Sequence, residues 1–118
     1  MARKAKVEPL VVENTETGKK ITFEYNRAII FQMDAEGFSG LNMSENFSNM
    51  PFSSAVKMIY YGMLMHQPDT TMEDAVNFFF DVVGMDEEFM SKLGELYADP
   101  YEELMNASLK NGKWRMIK

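Results

Sequence analysis

The chain has 118 residues, no cysteine and one histidine, with hydrophobic residues at 46 %. That is enough apolar material for one core without staples, and it excludes disulfides and thiolate–metal sites. Its formal net charge of −6 conceals an acidic body: positions 28–109 hold fourteen acids against Lys57 and Lys92, a net of −12, while 110–118 carry four bases. Such a body repels phosphate backbones, so nucleic acid is not an expected partner.

Residues 1–25 read as a β-hairpin region. Val7 to Val12 and Ile21 to Tyr25 are β-branched and aromatic, and the second run alternates with period two. Glu13-Asn14-Thr15-Glu16-Thr17-Gly18 supplies the turn between them. Met1 to Lys6 is basic, but Glu8 and Pro9 interrupt the apolar stretch after it, so no secretory segment is expected. Residues 26–110 read as a helical bundle and 111–118 as a basic tail, all within a single domain.

After Asn26 the period becomes helical, with Ile30, Phe31, Asp34 and Ala35 on one side and Gly37 as the stop. Gly40 to Asn49 is polar and reads as a loop pinned by Leu41, Met43 and Phe47. Pro51 opens a long helix whose stripe is Phe52, Ala55, Val56, Ile59, Tyr60, Met63 and Leu64, ended by Pro68. Thr70 and Glu73 have capping-box spacing for the next helix. Its stripe is Met72, Ala75, Val76, Phe79, Phe80 and Val83, and Gly84 closes it.

Asp86 then caps a helix with Phe89, Leu93, Leu96 and Tyr97 inward, and Met85 and Met90 are spaced as a hydrophobic staple. Asp99-Pro100-x-Glu102 predicts one more start, with Tyr101, Leu104 and Met105 as its core and Gly112 as its end. The fold class expected is mainly α: a compact bundle of four to five short helices preceded by an N-terminal β-hairpin. The longest apolar run, Met58 to Met65, is far below the roughly 18 residues a membrane span needs, so no membrane partner is expected.

Little in the sequence points to catalysis. There is no phosphate-cradling glycine loop and no nucleophile beside a base. His66-Gln67-Pro68-Asp69 with Glu73 and Asp74 is the one cluster with ligand chemistry. A histidine at one helix end and acids at the start of the next explain every residue type there, so no metal or cofactor is assigned. The chain reads as a binding protein rather than an enzyme.

Twelve methionines supply flexible, polarisable side chains that suit adaptable binding surfaces. Met58, Tyr61 and Met65 on the long helix, and Phe78 and Val82 on the next, lie off the main stripes. They are the candidate partner-binding residues, as a groove for an amphipathic helix, or else they form a second packing layer.

The order of features carries a resemblance. Phe23-x-Tyr25-Asn26-Arg27 is followed by Ala35-Glu36-Gly37-Phe38, then Tyr60-Tyr61 and His66 late in a long helix. The Gly84-Met85 break and Glu95-Leu96-Tyr97-x-x-Pro100-Tyr101 complete the series. Over roughly residues 20–106 this resembles the tail assembly chaperones of long-tailed phages and prophages of Gram-positive bacteria. The resemblance implies a protein of the bacterial host cytoplasm, absent from the mature virion. It implies binding to the aggregation-prone tape measure protein and recruitment of the tail tube protein, and self-association into a homo-oligomer would suit that task. Two other readings fit the residues: an acidic phage-encoded decoy that binds a basic host protein, and a small structural adaptor subunit.

Overall fold

The computed structural model describes residues 7–109 and 112–117. The basic residues 1–6, Lys110 and Lys118 lie outside the described residues. A two-stranded antiparallel hairpin precedes five α-helices: β1 (Leu10–Glu13), β2 (Lys20–Phe23), α1 (Arg27–Ala35), α2 (Gly40–Asn49), α3 (Pro51–Leu64), α4 (Met72–Phe78) and α5 (Glu87–Met105). A π-helical turn, Phe79–Val83, extends α4. The mainly α class with an N-terminal hairpin is the one expected from the sequence.

In the hairpin Leu10 pairs with Phe23 and Glu13 with Lys20. The Asn14 side chain accepts from the backbone N–H of Glu16 and Thr17, and Gly18 takes φ +76°, which only glycine adopts freely. A lone hairpin is marginal in water, and this one is secured by the end of α3. The backbone N–H of Glu24 donates to the Gly62 carbonyl at 3.0 Å, and the Gln67 carboxamide both accepts from Thr22 N–H and donates to the Thr22 carbonyl, each at 2.9 Å. Gln67 also donates to the Met63 carbonyl. The last carbonyls of a helix have no partner within it, so strand and carboxamide together cap α3.

α3 is the central helix, touching β2, α1, α2, α4 and α5. Its nearly all-round apolar character follows from that position. Fully buried Phe23, Met33, Phe38, Ile59 and Leu93 mark the core. Phe23 meets Phe89 edge-on, with centroids 5.2 Å apart, and Phe78 at 5.5 Å. The Tyr25 hydroxyl reaches the Met58 carbonyl at 2.7 Å. That approach needs Gly62, where an added methyl would stand 3.0 Å from the Tyr25 oxygen and 3.3 Å from the Phe23 ring.

Several sequence expectations are corrected. Gly40 to Asn49 is a helix, not a loop: the Ser39 N–H donates to the Asn42 side chain, and Met43 and Phe47, one turn apart, pack inward. Leu41 pins nothing and faces solvent. The cap of α4 is Thr71 with Asp74, one residue later than expected, because the Thr70 hydroxyl is engaged by the Gln67 carbonyl in the preceding turn. No helix starts at Asp99. α5 runs unbroken through Pro100, which is buried, so burial of Tyr97 and Pro100 outweighs the lost backbone hydrogen bond. Met105 is exposed rather than core, and the helix ends there rather than at Gly112.

Candidate protein-binding surface

The apolar surface left uncovered is not where the off-stripe residues placed it. Met58, Tyr61 and Phe78 are buried in the core, and Met65 is half-buried against it. Only Val82, 58 % exposed, stands outside. The five candidates therefore do not form one surface. Conversely Phe52, Met72 and Phe80, expected inside, are 64 %, 42 % and 77 % exposed.

The geometry of the two helices explains the exchange. Along α4 the core face is Ala75, Phe78 and Phe79, at i, i+3 and i+4. In a continuing α-helix the next inward residue would be Val82. The π turn holds one more residue, closed by the Gly84 N–H on the Phe79 carbonyl at 2.7 Å, so Val83 packs inward and Val82 turns out. Gly84, at φ +53°, then reverses the chain. Along α3 Phe52 shares its side with buried Ala55, Ile59 and Met63, and it is exposed because it stands in the first turn, beyond the part of that side which other elements cover.

Phe52, Val56, Met72, Val76, Phe79 and Phe80 consequently line a groove of about 380 Å³ between the start of α3 and the α4–π segment. Its rings touch one another: Phe52 and Phe79 have centroids 6.2 Å apart, and Phe79 and Phe80 5.6 Å. Lys57 also lines the groove, with its ammonium 5.6 Å above the Phe38 ring. Three large exposed apolar side chains on adjoining elements form a patch of the kind that marks interaction sites. The three-phenylalanine run gave a partial signal, because no helix can bury Phe78, Phe79 and Phe80 on one face.

The histidine has a partner that spacing could not reveal. His66 Nε2 lies 2.8 Å from Glu24 Oε1, across 42 residues of sequence, with the carboxylate almost buried. Asp74 instead caps α4, and among the described residues no three His, Cys, Asp or Glu groups converge as a metal site. Three tyrosines are shifted upward. Burial, then the charge of Tyr97, raises Tyr25; burial, then the hydrogen bond to Glu36, raises Tyr61; burial is the main cause for Tyr97. Each is held as a neutral structural phenol. No described helix is long and apolar enough to cross a membrane.

Fold and surface together define a small, mainly helical domain with a capping hairpin and an uncovered aromatic groove. The chain belongs to the family described as Domain of unknown function (DUF5055), whose model matches residues 1–117. Comparison with the curated proteins and with the solved structures returns no match.

Proposed function

We propose that this protein is a tail assembly chaperone of a long-tailed phage or prophage, acting in the bacterial cytoplasm and catalysing no reaction. The observation that carries the proposal is the Phe52–Met72–Phe80 groove on a strongly acidic body. An amphipathic helix needs an apolar trough with anchoring pockets at helical spacing, and two adjoining helices with aromatic flanks supply one. Burying a phenylalanine side chain contributes about 1.5–3 kcal/mol, so Phe52 and Phe80 would supply a few kcal/mol toward a client helix, with the rest of the trough needed to offset the cost of association. The net charge keeps a protein with such a patch soluble while it waits. The resemblance carried by the order of motifs from Phe23 to Tyr101 implies the tape measure protein as the client, with the tail tube protein recruited afterwards.

The decoy reading has less support. Phosphate mimicry requires acids free to face a partner at regular spacing, whereas Asp74 accepts from Thr71 N–H at 2.9 Å and Asp86 from Phe89 N–H at 2.8 Å as helix caps.

Co-expression with the tape measure protein encoded nearby tests the proposal, scored by how much of that protein stays soluble and co-purifies. We expect rescue that survives high salt and is lost in a Phe52→Ser/Phe80→Ser variant whose helical circular dichroism is unchanged. A folded wild-type chain that rescues nothing overturns it. Recovery of the chain in finished particles would make it the structural adaptor instead.

A further inference from the structure

A second cleft lies on the opposite side of the α4–π segment, and its chemistry differs from that of the aromatic groove. It holds about 480 Å³ between that segment, β2 and the turn after α3. Ile21, Met63 and Phe78 give it an apolar floor, and Val82, turned outward by the π turn, stands at its edge. Asp69, Asp74 and Asp81 line it against a single base, Lys19. An occupant must therefore bring apolar groups for the floor and positive charge for the rim.

The chain itself carries a segment of that composition. Trp114, Met116 and Ile117 are 81 %, 81 % and 87 % exposed, with Lys113 and Arg115 between and before them. No regular secondary structure spans 114–117. In an extended chain Trp114 and Met116 project to one side and Lys113 and Arg115 to the other. A large apolar trio uncovered on a basic segment, beside a body of net −12, is complementary to the acidic cleft in both respects.

We infer that the 113–117 segment of one copy docks in the Ile21–Phe78–Val82 cleft of a second copy. Trp114 fills the floor, and Lys113 and Arg115 face the carboxylates of Asp69 and Asp81. The contact is heterologous, since segment and cleft are different surfaces, so it adds copies in a row or closes them into a ring. It leaves the Phe52–Phe80 groove of every copy open, and it is independent of which client that groove takes.

Sedimentation analysis of the full chain across a wide concentration range tests it, with the fluorescence of Trp114, the one tryptophan, as a second readout. We expect concentration-dependent association, accompanied by a blue shift of the emission. Trp114→Ala, at an exposed position, should weaken association by about tenfold or more. Asp69→Lys/Asp81→Lys should weaken it similarly, and adding Lys113→Glu/Arg115→Glu to that variant should restore it. Phe52→Ser/Phe80→Ser should leave it unchanged. Three results overturn the inference: a chain monomeric at every concentration; association indifferent to both Trp114→Ala and the cleft reversal; or a blue-shifted emission independent of concentration, which places the segment in its own cleft.

Discussion

The two ends of α3 carry similar side chains to different effect. At its C-terminal end, Gly62 and Met63 lie beneath β2 and the residues after it, and the backbone of Thr22, the backbone N–H of Glu24 and the Tyr25 hydroxyl find partners at Gln67, Gly62 and Met58. At its N-terminal end, Phe52 lies beside Phe79, and among the described residues none covers Phe52 or Phe80. Aromatic content does not distinguish the two ends; the presence of a covering element does. A covered end contributes to stability, and an uncovered one is available to another molecule. Substitutions at the two ends should therefore separate stability from binding.

The largest effect is expected at Phe23, which is fully buried between Phe78 and Phe89. Phe23→Ala removes that ring and leaves a cavity, and should cost about 3–5 kcal/mol in chemical denaturation. A loss below about 1 kcal/mol would show that the hairpin does not seal this end. Next comes Gly62→Ala. The added methyl meets the Tyr25 oxygen at 3.0 Å and its ring carbon at 3.2 Å, and overpacking of this kind costs about 1–3 kcal/mol. The usual gain of alanine over glycine in a helix, about 1 kcal/mol, opposes it. A net destabilisation identifies Gly62 as a contact glycine, whereas a net gain would mean that Tyr25 can retreat without loss.

Alkaline pH probes the same end through its phenols. Tyr25, Tyr61 and Tyr97 all have folded-state pKa values raised above the usual 10.0. The unfolded chain releases these protons first, so it binds fewer protons than the folded chain above about pH 10. Stability is therefore full below pH 10 and falls as pH rises from there toward the folded values. Thermal melts between pH 8 and pH 12 should show this decline, measured with tyrosinate absorbance. Tyr25→Phe should make it shallower, since one buried ionisable group is gone, at a cost near neutrality of about 0.5–1.5 kcal/mol for the hydrogen bond to the Met58 carbonyl. A melting temperature flat to pH 12 would mean that the tyrosines titrate freely.

How far the sequence reveals this arrangement depends on whether a feature is local. Asp86 as the cap of α5, with Phe89, Leu93, Leu96 and Tyr97 inward, is legible because cap and stripe lie within three turns. The turn at Gly18 and the stop at Gly37 are legible because a positive φ is a property of one residue. α2 was hidden by its polar composition, since two inward residues in ten make no stripe. Pro100 misled because the same residue suits a helix start and, when buried, a helix interior. The groove was least legible. Phe52, Met72 and Phe80 lie on the periodic stripes, and whether a stripe residue is covered depends on which other elements reach that end of α3 and α4, which helical spacing alone does not state.

The smallest expected change in stability belongs to the open end, and it sharpens the contrast most. Phe52 and Phe80 are already largely in water, so replacing both with serine removes little buried area. Serine is a poorer helix former than phenylalanine by little or nothing, so the two substitutions together should shift unfolding by no more than about 1 kcal/mol. The same pair should abolish retention of an apolar helical client, because the trough loses both flanking rings and Phe79 is the one ring left in its lining. Urea denaturation and client co-purification on the same preparation give both quantities. A loss of several kcal/mol would show that the rings contribute to the core, and the two ends of α3 would then differ in degree only. Unchanged stability with lost retention would establish that an aromatic surface contributing almost nothing to the fold is what the molecule presents to its partner.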